Sequence, residues 1–129
     1  MQMQVYLAVF LTLFITTGTH GVAKASATSS KIEHVVLCWL ENPGKENRDR
    51  VIETVRELTA IPGVMDLRVG PVLPSDREVV DDSFDVGISM SFRNRREMEQ
   101  YLNHEEHVRR LQEVFLPLCK DIRVYDFSF

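Results

Sequence analysis

The residues best suited to chemistry lie in one short stretch, from Tyr101 to Val108. His104 and His107 are two of the four histidines in the chain, and a spacing of three places both imidazoles on one side of a helix. A neutral imidazole can accept a proton near neutral pH, so His107 is a candidate general base. The alternative is equally open: His107 fixes a helix start by hydrogen-bonding the backbone.

Two other polar residues can meet this stretch. His34 opens an apolar run that predicts the first strand, and Asp126 lies in the predicted last strand. A carboxylate on a buried strand face needs a partner, and we expect His34 or His107 to supply it. We predict a ligand cavity in which His107 and Tyr101 face the binding residues His34, Val36, Cys38, Ile88 and Asp126.

Metal and cofactor sites are not favoured by the sequence. His34, His107 and Asp126 would make a two-histidine, one-carboxylate metal set if they converged, and haem would need only one axial histidine. No pattern selects either of these. The sequence also lacks a phosphate-binding glycine loop, a paired-cysteine zinc signature and a serine-nucleophile motif. We therefore predict no metal and no cofactor.

Residues 1–25 have the pattern of a secretory signal peptide. The segment Val5–Ile15 is apolar except for Thr12, and small residues follow at the predicted cleavage region. This core is too short to span a bilayer comfortably. No Lys or Arg precedes it, so an uncleaved membrane anchor is the alternative. We predict a periplasmic or secreted protein, free of the membrane after cleavage, with a flexible leader at 26–31.

Charge and cysteine content limit the function further. The chain has a formal net charge of −4 and a pI near 5.5, which excludes a general nucleic-acid binder. Export would permit a disulfide between Cys38 and Cys119. Both positions also suit small buried hydrophobic side chains. We expect free buried thiols, because the sequence does not fix the separation that a bridge requires.

Hydrophobic periodicity predicts one domain over residues 32–129 with the order β-α-β-β-α-β. The predicted strands are 32–40, 64–73, 83–92 and 122–127. The predicted helices are 46–60 and a second helical region from Asn94 to Pro117, which breaks and restarts at Asn103. This order predicts an α+β, ferredoxin-like split arrangement, in which one four-stranded antiparallel sheet carries both helices on one face.

The other face of this sheet needs a cover. In the first strand, His34, Val36 and Cys38 alternate with a second set that is also largely apolar, namely Val35, Leu37 and Trp39. A sheet with two apolar faces must be buried on both. A second copy of the sheet is the economical cover, so we predict a homodimer through the open sheet face.

Several motifs together resemble the stress-responsive dimeric α/β-barrel (Dabb) family over about residues 32–128. They are Glu33-His34-Val35-Val36-Leu37, Ile61-Pro62-Gly63-Val64, Phe84-Asp85, Tyr101-Leu102-x-His104-x-x-His107-Val108 and Val124-Tyr125-Asp126-Phe127. The resemblance implies a ferredoxin-like protomer and a barrel formed by two packed sheets.

One branch of that family, the plant polyketide (olivetolic acid) cyclase, is a more distant resemblance. It implies an intramolecular aldol condensation inside the protomer cavity, with His107 as base, Tyr101 as assistant, and His34 and Asp126 lining the pocket. We predict that the protein binds a small organic ligand in this cavity. The alternative is a cavity enzyme, a cyclase, lyase or oxygenase-like catalyst, that uses His107 as general base.

Overall fold

The computed structural model describes residues 30–129. The predicted signal peptide and residues 26–29 of the predicted leader lie outside these residues. The helices and strands follow in the order β1 (Ile32–Leu40), α1 (Lys45–Glu57), β2 (Met65–Pro71), β3 (Val86–Phe92), α2 (Arg95–Leu102), α3 (Glu105–Arg110), a π-helical turn (Leu111–Phe115), α4 (Leu116–Leu118) and β4 (Cys119–Ser128).

The four strands form one antiparallel sheet in the order β2-β3-β1-β4. This is the predicted ferredoxin-like split arrangement, so the fold class is confirmed. Lys31 and Phe129 exchange two backbone hydrogen bonds of 3.1 and 3.0 Å beyond the strand ends. The last residue of the predicted leader therefore extends the pairing of β1 with β4.

Alternation along β1 separates the two faces of the sheet. Ile32, His34, Val36, Cys38 and Leu40 are buried, and the residues between them are only partly buried. The buried face lies under the helices, where Val51 and Val55 of α1 and Tyr101 of α2 complete the core. No helix within residues 30–129 is long and apolar enough to cross a membrane.

Helix caps define the second helical region. Asn94 caps α2 as predicted, because its side chain accepts a hydrogen bond of 2.9 Å from the backbone of Glu97. The predicted restart at Asn103 is wrong by one residue. Asn103 ends α2, and His104 caps α3 by accepting a 3.2 Å hydrogen bond from the Glu106 amide. The second helical region ends at Leu118, one residue after Pro117.

The expectation of free thiols is wrong, because Cys38 and Cys119 form a disulfide. The reason lies in the strand bounds: β4 begins at Cys119, earlier than the predicted Ile122, and pairs Cys119 with Leu40. This register brings the two cysteine Cα atoms to 5.8 Å, within the range of a bridge. The disulfide links β1 to β4 inside the core.

The second face of the sheet remains open in the protomer. Val35, Leu37 and Trp39 of β1 are only partly buried there, and Tyr125 and Phe127 of the edge strand β4 are more than half exposed. Cross-strand pairing places these aromatic rings beside β1 on the same face. The open apolar face that the sequence predicted is therefore present.

Candidate functional site

A cavity of about 240 Å³ lies between the sheet and the second helical region. Its wall is mostly apolar, and its polar groups come from β1, α2 and α3. The lining residues are His34, Val36, Val55, Leu58, Ile88, Met90, Tyr101, Leu102, His107, Arg110, Leu111, Phe115, Ile122 and Val124.

His107 is fixed by the helix that precedes it. Its Nδ1 lies 3.0 Å from the Leu102 carbonyl oxygen, and a carbonyl can only accept, so Nδ1 carries the hydrogen. In the neutral ring Nε2 then holds the lone pair. Nε2 has no hydrogen-bond partner among residues 30–129 and is not fully buried. His107 lines the cavity, and its Nδ1 hydrogen-bonds the backbone at the end of α2 rather than at the start of α3.

Burial lowers the pKa of His107 below its ordinary value of 6.5, and the charges of His34 and His104 add to this effect. The hydrogen bond to Leu102 acts in the opposite direction and is outweighed. The neutral ring is thus the stable form in the folded protein at neutral pH.

This lowered pKa predicts a loss of stability in acid. The unfolded chain binds the proton more readily than the folded one, so stability is full above the ordinary pKa and falls as the pH drops below it. Between about pH 7 and about pH 5, the wild type should lose more thermal stability than His107→Gln. Melting curves across this range measure the difference; parallel curves for the two proteins would contradict the lowered pKa.

Tyr101 packs directly beside His107, with their ring centroids 4.6 Å apart. The phenol ring is buried, and burial raises the pKa of its hydroxyl far above the usual range. The hydroxyl therefore stays protonated and can donate a hydrogen bond. The hydroxyl has no hydrogen-bond partner among the described residues and is not fully buried, so it is available to a ligand in the cavity.

His34 and Asp126 form a hydrogen-bonded pair across β1 and β4. His34 Nδ1 donates to Asp126 Oδ1 at 2.6 Å, as expected from the shared face of two residues in register. The His34 side chain is 5% exposed and the Asp126 side chain 40% exposed. The imidazole thus lines the cavity, and the partly exposed carboxylate fixes its orientation through the hydrogen bond.

Asp126→Ala should remove the only acceptor that His34 Nδ1 has among residues 30–129. Leaving a buried donor unpaired costs about 1–3 kcal/mol of unfolding free energy. Urea unfolding of the variant measures the loss. Asp121→Ala on the same strand is the control, because its pair with Arg123 is exposed and worth about 0–1 kcal/mol. Equal losses in the two variants would contradict the pairing.

The predicted site residues divide into two groups. His34, Val36, Ile88, Tyr101 and His107 line the cavity, and Asp126 reaches it only through His34. Cys38 does not line it, because its sulfur is bonded to Cys119 deep in the core. No group of three histidine, cysteine or acidic residues within 30–129 is arranged to hold a metal ion.

Sequence reasoning missed Arg110 and the π-helical turn. Arg110 lines the cavity three residues after His107, and this helical spacing was the available signal. The π-helical turn Leu111–Phe115 contributes Leu111 and Phe115 to the wall. Such turns are frequent at functional sites, but no residue pattern in the sequence indicated one.

The family model of the stress responsive A/B barrel domain (Dabb) matches residues 32–129. The chain belongs to the Dabb family. No curated protein matches the sequence at a significant level. The Dabb match covers every element described above, and it confirms the resemblance that the motifs indicated.

Solved structures with the Dabb fold are similar to this chain. A Dabb family protein from Mesorhizobium loti is 22% identical, with a TM-score of 0.64 over 77% of this chain and 96% of its own. A hydroxynitrile lyase from Passiflora edulis is 18% identical, with a TM-score of 0.68 over 78% and 94%. A dimeric ferredoxin-like protein from Thermobifida fusca is 18% identical, with a TM-score of 0.64 over 78% and 92%. At these identities the similarity shows the fold alone.

Proposed function

We propose that this Dabb protein binds a small, largely apolar organic molecule in its protomer cavity, with an oxygen of the ligand held at His107 and Tyr101. One observation carries the proposal: an apolar cavity presents an unpaired basic nitrogen beside an unpaired phenol hydroxyl. Neither group has a hydrogen-bond partner among residues 30–129, and a ligand with a hydroxyl or carbonyl group can bond to both.

The size and wall of the cavity set the kind of ligand. A volume of about 240 Å³ suits a molecule smaller than most drugs. Val36, Ile88 and Leu111 offer only apolar contacts, so the body of the ligand should be a hydrocarbon chain or a single ring. Polar contact is restricted to the side where the two histidines, Tyr101 and Arg110 lie.

A second candidate function is proton-transfer catalysis, favoured by how His107 is held. The bond from Nδ1 to Leu102 leaves Nε2 as a fixed, neutral base, and geometry of this kind is what a general base needs. With a cyanohydrin, Nε2 would take the hydroxyl proton as the carbonyl forms, and the carbon–carbon bond would break to release cyanide. The similar fold of the Passiflora edulis hydroxynitrile lyase makes this reaction the first to test.

We further propose export and a homodimer. The signal-peptide pattern at 1–25 supports export, as does the disulfide, because such bridges persist in oxidising compartments. The open apolar face with Val35, Leu37 and Tyr125 supports a dimer, as do similar proteins described as dimeric from Thermobifida fusca and Jannaschia. Light scattering at micromolar concentration should give twice the protomer mass; a protomer mass would overturn the dimer.

Binding is tested with benzaldehyde, a small ring that carries one carbonyl oxygen. NMR titration of isotope-labelled protein should shift signals of the cavity residues Val36, Ile88 and Tyr101. Val124→Phe is the blocking variant, because Val124 lines the cavity from a half-exposed position that can admit a larger side chain. The variant should keep its fold and lose the shifts. Saturable shifts confined to the open sheet face would contradict cavity binding.

A further inference from the structure

Two recesses of the molecule meet at Arg110. The cavity described above and a second recess of about 310 Å³ share Arg110 and Leu58 as lining residues. The second recess lies where α1 ends and α3 begins, and it carries the polar side chains of Glu57, His104 and Glu106. Arg110 therefore lies at the junction of the apolar cavity and a recess that carries charged side chains.

The guanidinium of Arg110 is only partly satisfied. Its Nη2 forms an ion pair with Glu57. Its Nε is buried and lies 3.7 Å from the Glu106 carboxylate, which is too far for a hydrogen bond, so Nε has no hydrogen-bond partner among the described residues. Nη1 has no hydrogen-bond partner among residues 30–129 and is not fully buried. One charged donor of this arginine is thus free for a ligand.

The charge on Arg110 can act inside the cavity despite the nearby carboxylates. The Glu57 side chain is 56% exposed and the Arg110 side chain 25%, so water weakens their attraction. An anion in the apolar cavity would meet the same guanidinium at a lower effective dielectric constant, where charges interact more strongly. His107, three residues earlier on the same helix, lies within reach of the same ligand.

We propose that Arg110 is the specificity residue of the cavity and selects ligands with a carboxylate group next to an apolar body. This inference rests on the proposed function and narrows its ligand class to small apolar carboxylic acids. Arg110 Nη1 would donate to a carboxylate oxygen, and the chain or ring of the acid would extend between Val36, Ile88 and Leu111. Arginine suits this role because its planar donors match a carboxylate.

Two probes of nearly equal shape, hexanoate and hexanamide, test the inference by calorimetric titration at neutral pH. Wild type should bind hexanoate about tenfold or more tightly than hexanamide, as expected for a charged hydrogen bond. Arg110→Met should abolish this preference by lowering hexanoate affinity far more than hexanamide affinity. Arg109→Met is the matched control, because Arg109 pairs with Glu106 and Glu113 and lines neither recess; it should keep the preference.

Glu57→Gln separates ligand selection from a structural role. Without Glu57 the guanidinium loses a competing anion, so hexanoate affinity should rise while hexanamide affinity stays constant. A structural ion pair would instead make Arg110→Met and Glu57→Gln change both probes alike, and that result overturns the inference. Equal wild-type affinities for the two probes would overturn it too, while leaving cavity binding intact. No binding of hexanamide or benzaldehyde would refute the proposed function itself.

Discussion

Reducing the disulfide should lower the unfolding free energy by about 4 kcal/mol, because the bridge closes a long loop in the unfolded chain. Cys38 and Cys119 are 81 residues apart in sequence, so the unfolded state gains much freedom when the bond opens. For a domain of this size, the thermal midpoint should fall by roughly 20 °C. Thermal melts with and without a reductant measure the effect.

The double variant Cys38→Ala, Cys119→Ala serves as the control for this measurement. It should melt near the reduced wild type, somewhat lower because two buried sulfur atoms are lost, and reductant should not move its midpoint. Thiol labelling confirms that the bond has opened. An unchanged midpoint in wild type with both thiols labelled would show that the bridge contributes nothing to stability.

On a cyanohydrin such as mandelonitrile, His107→Leu should lower turnover by about 10²–10⁴-fold, the usual contribution of a general base. Leucine places a side chain of similar size at the cavity wall, but it cannot accept a proton. The bond to the Leu102 carbonyl would also be lost, so a melt must accompany the assay. Release of benzaldehyde is followed by its absorbance.

His104→Gln is the matched control, because His104 caps α3 and does not line the main cavity. Its turnover should stay near that of wild type. Equal turnover in wild type and His107→Leu would remove His107 from the chemistry. No cleavage by wild type at all would leave binding as the function and reject this reaction.

The fold was predictable because its signals are periodic. Alternation in β1 and β3 marked both faces of the strands, and helical spacing from Val51 to Leu58 marked α1. The start of β4 was less predictable, because Cys119 and Lys120 follow α4 directly and show no strand-like alternation. Its early start depends on pairing with β1, a long-range contact that no local pattern encodes.

Part of the site was predictable for the same reason. The shared strand face limited the predicted partner of Asp126 to His34 or His107, and the structure selects His34. The family resemblance implied Tyr101 beside His107, and their rings are in contact. The disulfide and the π-helical turn were not predictable, because both depend on how separate elements pack together. Arg110 looked like any charged residue of a solvated helix, and only the cavity beside it indicates a role.

The most direct test of cavity function is the state of the His107 ring, observed by nitrogen NMR at neutral pH. We predict a neutral ring with its hydrogen on Nδ1, and a shift of the Nε2 signal when benzaldehyde or hexanoate is added. The Val124→Phe variant should show the same tautomer without the ligand shift. A ring that is charged at neutral pH, carries its hydrogen on Nε2, or shows no signal shift with either probe would contradict ligand binding at His107.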